Sequence, residues 1–140
     1  MPNVALSNTT MSDATRPWAH GHFHWNELMT RDVERAKRFY RDTIGWSFDS
    51  MPMPDGRTYW CAFVDGKPVA GIFPLDAPQF AGVPEGWMPY LAVDDVDRRA
   101  EKAVKAGAQL MRPIFDVPGV GRFAILTEPG GAGIGWMTPA

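Results

Sequence analysis

Residues 25–46, WNELMTRDVERAKRFYRDTIGW, hold in one run the end of an aromatic stretch, a capped amphipathic segment and its stop signal. Thr30-Arg31-Asp32 supplies cap residues, and apolar positions then fall at Val33, Ala36, Tyr40 and Ile44 until Gly45. That is helical spacing with a glycine end, so the stretch predicts a helix. The residues just before it, 20–29, alternate imperfectly and are rich in aromatics, as a strand would be. After the helix, 46–53, 58–64 and 68–75 read as three short strands, separated by Pro54-Asp55-Gly56 and by Asp65-Gly66, the latter a two-residue hairpin.

The same order then begins again. Residues 87–93 predict a strand, Asp95 a cap, and Val96, Ala100, Ala103 and Val104 the apolar stripe of a second helix closed by Gly107. Strands at 109–117, 122–127 and 133–138 follow, with turns at 118–121 and 128–131. Placing Asp32-Val33-Glu34-Arg35 on Asp95-Val96-Asp97-Arg98 gives an offset of 63, which also sets Leu28 on Leu91. Ala70-Gly71-Ile72 meets Ala132-Gly133-Ile134 at an offset of 62. Matched order and spacing in both halves predict a duplication.

Composition bounds the rest. A chain of 140 residues with 45% hydrophobic and 21% charged residues fits one domain, and at this size roughly two thirds of the unfolded surface can be buried. The single cysteine, Cys61, excludes an internal disulfide and fits a reducing, cytoplasmic setting. A net charge of −2 without a basic block gives no footprint for nucleic acid. No apolar run approaches the ~18 residues a membrane helix needs, and the first 17 residues lack the pattern of a signal peptide. Residues 1–17 are expected to be a flexible arm, with Met11 as a second candidate start. The remainder, 18–140, is expected to form a single domain of two modules, 20–76 and 87–138, joined by a linker at 77–86. The 14 Gly and 13 Pro suit many tight turns, and 8 Met and 6 Trp leave large side chains for a pocket.

Several of these residues carry a family likeness. They are Glu27-Leu28-Met29-Thr30-Arg31-Asp32, Ala36, Phe39-Tyr40 and Gly45-Trp46 in the first half, with Leu91-Ala92-Val93-Asp94-Asp95-Val96, Gly107-Ala108 and Glu128-Pro129-Gly130-Gly131 in the second. On these the chain resembles the vicinal oxygen chelate superfamily of glyoxalase I, bleomycin-resistance proteins and extradiol dioxygenases, over residues 20–138. The resemblance implies an α+β fold in which two βαβββ modules form a curved mixed sheet around a cleft, helices outside, and it implies a homodimer. Metal-dependent members hold a metal with ligands from the first and last strand of each module. Carried over, those positions fall on Trp25, on Gly71 or Phe73, on Met88 and on Gly135, where metal-dependent relatives carry Glu. None is a side chain of the imidazole or carboxylate kind such a site needs, so no metal cofactor is expected. The alternative is a divalent transition metal held by His22 or His24 with Glu27, because His20, His22 and His24 alternate and would share one strand face.

Trp25, Glu27 and Met29 would share the opposite face, toward the cleft. There Glu27 is the candidate catalytic residue, a general base for a proton next to a carbonyl. The structural alternative is a carboxylate bonded to a backbone amide or to an arginine such as Arg112 or Arg122. Trp60, Met88, Tyr90 and Trp136 complete the candidate ligand-binding residues, and Cys61 reads as an inert buried thiol. The functional expectation is a glyoxalase/bleomycin-resistance-like protein that binds a small apolar or aromatic molecule in a metal-free cleft, with lyase or isomerase activity as the catalytic option. A metal-dependent glyoxalase- or dioxygenase-type enzyme and a non-catalytic drug-sequestering protein are the alternatives. Neither nucleic acid nor membrane is an expected partner.

Overall fold

The structure, a computed structural model, describes residues 16–140. The arm expected at 1–17 lies almost wholly outside the described residues. The described chain forms two compact units, 25–89 and 90–140, the latter taking in residues 16–24.

In the first unit, β1 (Phe23–Thr30) leads into α1 (Val33–Ile44), followed by β2 (Ser47–Pro52), β3 (Thr58–Val64) and β4 (Lys67–Pro74). The spatial order is β2-β3-β4-β1, antiparallel except for the parallel β1–β4 pair. The Asp32 carboxylate accepts the Arg35 N–H at 3.0 Å, capping α1. At the other end Gly45 takes the left-handed conformation at φ 79°, which a side chain would disfavour. The helix end is held by aromatic rings: Tyr40 stacks on Trp46 with centroids 4.8 Å apart, and the Trp87 indole N–H donates to the Tyr40 hydroxyl at 3.2 Å. Asp65 and Gly66 both have positive φ, 50° and 76°, as the tight turn between β3 and β4 requires. The 77–86 stretch, expected as a linker, is ordered. It carries a 3-10 turn at Pro78–Phe80, and Arg31 donates to the carbonyls of Phe80 and Val83 at 2.9 and 2.7 Å. Thr30 donates to the Glu85 carboxylate at 2.7 Å.

The second unit repeats the plan. It has β5 (Gly86–Ala92), α2 (Val96–Lys105), β6 (Gln109–Leu110), β7 (Phe115–Val117), β8 (Gly121–Thr127) and β9 (Gly133–Pro139). Here β5 pairs with β9 in parallel, β9 with β8 antiparallel, and both β6 and β7 with β8. Asp95 caps α2 through the Arg98 N–H at 3.1 Å. Val93, Val96, Ala100, Ala124 and Leu126 form the core between α2 and the sheet, with Ile134 and Trp136 packed against it. The fold is α+β, two βαβββ modules with mixed pairing.

Three expectations need correction. The strand expected at 109–117 is broken into β6 and β7, because Pro113 has no N–H to give the ladder and Met111 instead donates to the Ile125 carbonyl at 2.8 Å. The first strand begins at Phe23, not at residue 20. His20 and Gly21 form a turn, with Gly21 at φ 84°, so the three histidines do not line one strand face. The repeat offset also changes: β1 sets Glu27 beside Gly71, and β5 sets Tyr90 beside Gly135. With Glu27 matched to Tyr90 at 63, the last strands match at 64 rather than 62. Ala-Gly-Ile is a local likeness in the wrong register.

Candidate functional site

Strand pairing decides which side chains meet, since directly paired residues share a face and alternate residues along a strand return to it. In the first unit Glu27 pairs with Gly71, Gly71 with Cys61, and Cys61 with Asp49. Trp25 and Met29 flank Glu27 on this face, and Met29 pairs with Phe73. Leu28, Ile72 and Trp60 share the other face, where Lys37 of α1 places its ammonium 3.2 Å from the centre of the Trp60 ring. The open face therefore carries polar groups and the helix-covered face carries the core.

On the open face a hydrogen-bonded chain runs across three strand positions. The Trp25 indole N–H donates to the Tyr59 hydroxyl at 2.9 Å, and the Tyr59 O–H donates to the Glu27 carboxylate at 2.8 Å. An indole nitrogen can only donate, which leaves the phenol proton for Glu27. Gly71 makes room for this arrangement: a Cβ built on it would fall on the Tyr59 hydroxyl. Beyond Gly71, Cys61 is 5% exposed, and burial together with the Asp49 carboxylate pushes its thiol pKa up, away from the reactive thiolate. At the Phe73 end, the Arg57 guanidinium lies 5.4 Å from the Phe73 and Phe80 ring centres. It donates to Asp76 at 2.9 Å and to the Pro74 carbonyl at 2.7 Å.

The second unit shows a matching feature. A Cβ on Gly135 would fall on the Tyr90 ring, which also meets Phe123 edge to face at 5.7 Å. Met88 lies two residues before Tyr90 on the same face of β5. Trp136 faces the other way, paired with Leu91 and Ala124 and packed against the α2 core. Trp60 and Trp136, expected among the ligand-binding residues, are thus on the helix-facing sides of their strands. One residue of parity separates each from the open face.

Trp25 and Glu27, expected on one strand face, are joined through the Tyr59 hydroxyl, a residue the sequence reading did not single out. Arg122 pairs with Asp97 and Asp116, and Arg112 lies 3.8 Å over Phe115, so each has its own partner within its unit. Among the histidines, His20 accepts the Asp94 N–H at 3.0 Å, while His24, in β1, has its pKa lowered by burial. Among the described residues no three His, Cys, Asp or Glu side chains gather as a metal site. The positions where the fold would place metal ligands do not fit a metal. Trp25 and Met88 offer an indole and a thioether, while Gly71 and Gly135 are glycines whose side-chain space is filled by tyrosines. Two depressions of about 480 and 300 Å³ lie elsewhere, one bordered by Asp94, Asp97, Asp116 and Arg122, the other by Thr30, Arg35, Phe39 and Glu85. Charges in the first largely satisfy one another through the Arg122 pairs. No helix among the described residues is long and apolar enough to cross a membrane.

Paired βαβββ modules with first and last strands in parallel define a class, and comparison with known proteins gives the family. The model of the Glyoxalase/Bleomycin resistance protein/Dioxygenase superfamily matches residues 20–135, and the chain belongs to that superfamily. It is 41% identical over 113 residues to the Mycobacterium tuberculosis protein named putative glyoxylase CFP32, covering 80% of this chain and 43% of that one. With the Streptomyces peucetius anthracycline biosynthesis protein DnrV it shares 30% identity over 119 residues, 77% of this chain and 43% of the relative. The chain thus spans less than half the length of these curated relatives. Among solved structures, methylmalonyl-CoA epimerase from Mycobacterium tuberculosis superposes with a TM-score of 0.60 at 19% identity, covering 89% of this chain and 92% of the epimerase. The Streptomyces coelicolor methylmalonyl-CoA epimerase in complex with 2-nitronate-propionyl-CoA gives 0.61 at 16%, with 87% and 99% covered.

Proposed function

We propose that this chain binds a small, partly apolar or aromatic carbonyl compound against the open face of β1 and β4, without a metal, and that Glu27 removes a proton from the carbon beside the carbonyl. The observation that carries this reading is the Trp25–Tyr59–Glu27 hydrogen-bonded chain. A carboxylate flanked by the Trp25 and Phe73 rings and the Met29 thioether has apolar neighbours on its own stretch of the face, and it is the one group in the chain of three that is a base near neutral pH. Proton removal by a positioned carboxylate needs no oxidant and no leaving group. The reaction class is therefore isomerisation, or a lyase step where the substrate itself carries a leaving group on the carbon next to the one that loses its proton. Trp25, Met29 and Phe73 supply apolar surface beside Glu27, as ligand sites commonly do. Superfamily membership supports small-molecule chemistry in general terms, and the relatives' names are in keeping with it.

The experiment is proton–deuterium exchange. Small carbonyl compounds are incubated with the protein in heavy water and followed by NMR at the carbon beside the carbonyl. Wild type should catalyse exchange on members that bind. Glu27→Gln should slow it by about a hundredfold or more, the usual contribution of a positioned base, with ligand affinity changed little. Equal loss of affinity and exchange would instead make Glu27 a binding residue. Elemental analysis of untagged protein should show substoichiometric transition metal, and chelators should leave exchange unchanged; a stoichiometric metal lost together with activity would sink the metal-free reading.

A further inference from the structure

Enolisation by a base alone leaves negative charge on the carbonyl oxygen, and something must accept it. We propose that Tyr59 is the catalytic group that binds this oxyanion, and that its phenol stands in the space where a metal-ligating side chain from β4 would project. The inference rests on the reading of Glu27 as base and adds the electrophile which that reading lacks.

Three observations converge. First, the Tyr59 hydroxyl sits where a Cβ on Gly71 would be, so the last strand of the module cannot present any side chain here while the phenol is in place. The glycine and the tyrosine are two halves of one arrangement. Second, the Trp25 N–H donates to the Tyr59 oxygen at 2.9 Å. This is the atom that gains negative charge as Tyr59 gives its proton into a strong hydrogen bond, so the indole supports that donation. Third, the Tyr59 proton points at Glu27, 2.8 Å away. A substrate whose carbonyl oxygen meets Tyr59 therefore has its neighbouring carbon near Glu27.

The step balances within these groups. The bond from hydrogen to the carbon beside the carbonyl breaks, and the proton goes to the Glu27 carboxylate. The electron pair delocalises onto the carbonyl oxygen, which takes the hydrogen bond Tyr59 had made to Glu27. Glu27, now neutral, no longer competes for that donor. Returning the proton to the face it left regenerates the compound with its hydrogen exchanged, delivery from solvent to the opposite face epimerises that carbon, and in an α-hydroxy carbonyl compound return to the former carbonyl carbon isomerises it.

The test uses a stable oxyanion, 4-nitrophenolate, whose ionisation is read by its absorbance. Glu27→Gln mimics the neutral carboxyl of the intermediate, so this variant should bind 4-nitrophenolate about tenfold or more tighter than wild type near neutral pH. In the Glu27→Gln background, Tyr59→Phe keeps the ring over Gly71 and removes only the hydroxyl, and should weaken binding by about ten- to a hundredfold, the usual worth of a hydrogen bond to a charged group. Trp25→Phe should weaken it by a smaller factor, through Tyr59. Affinity unchanged by Tyr59→Phe, or no phenolate binding by the Glu27→Gln protein, would overturn the proposal. Thermal melting of each variant separates a folding defect from a lost contact, and Trp25→Phe with Tyr59 intact repeats the question should Tyr59→Phe unfold. If Tyr59→Phe loses phenolate affinity while no carbonyl compound shows Glu27-dependent exchange, the base reading fails and the oxyanion donor stands.

Discussion

At Gly135 a single hydrogen atom stands where any other residue would place a carbon on the Tyr90 ring. Gly135→Ala should therefore cost about 1–3 kcal/mol by overpacking. A double-mutant cycle with Tyr90→Ala isolates the cause. In the Tyr90→Ala background Gly135→Ala should cost much less, and additive losses in urea unfolding would show that the ring is not what Gly135 accommodates. The same physics explains what was legible. Trp25 and Glu27 lie two apart on one strand, so alternation alone places them on one face. Tyr59 was not legible, because its role depends on the register of β3 against β4, where Cys61 pairs with Gly71 and the phenol leans back over the glycine. Trp60, its neighbour, has the more conspicuous side chain and points the other way.

At the scale of elements the helices were the most readable, because their signals are local. Asp32 and Asp95 accept the N–H groups of Arg35 and Arg98, as cap residues should. Replacing either with Ala should cost about 1 kcal/mol, read as a fall in the urea midpoint. Replacing Asp95 removes an acceptor without touching the second clamp on that helix start, where the Val96 N–H donates to the Thr138 hydroxyl at 3.0 Å and Thr138 donates to the Val93 carbonyl at 2.9 Å. Thr138→Val should therefore add to the loss rather than duplicate it. Strand limits were less readable where tertiary contacts decide them. His20 accepts the Asp94 N–H across 74 residues of sequence, which takes it out of the strand that its alternation with His22 and His24 suggested. Likewise the 77–86 stretch lacks periodicity yet is pinned by Arg31 through two carbonyls, a contact no local pattern announces.

For the whole molecule, acid is the perturbation that engages most of the charged contacts together. Arg99 holds the Asp94 carboxyl well below the usual carboxylate range, and a hydrogen bond from Arg122 lowers the pKa of Asp97. Asp55 is lowered by hydrogen bonds from Arg57, and Glu85 by the Thr30 hydroxyl. In each case the folded value lies below the unfolded one, so between them the unfolded chain binds more protons. These contributions are fully present above the ordinary carboxylate values of 3.8 to 4.5 and are lost as pH falls through and below them. The groups are largely solvent-exposed, so each is worth little singly and is screened by salt. Their loss also coincides with the 14 Lys and Arg and three His becoming an unbalanced positive charge. The urea midpoint should accordingly fall most steeply below pH 5, after a smaller loss between pH 7 and 5 because His24, whose pKa burial lowers, is protonated more readily in the unfolded chain. The fall below pH 5 should be reduced in Asp94→Asn, which has already lost its carboxylate at neutral pH. A midpoint that rises on acidification, or a profile identical in wild type and Asp94→Asn, would mean that these pairs do not govern acid stability.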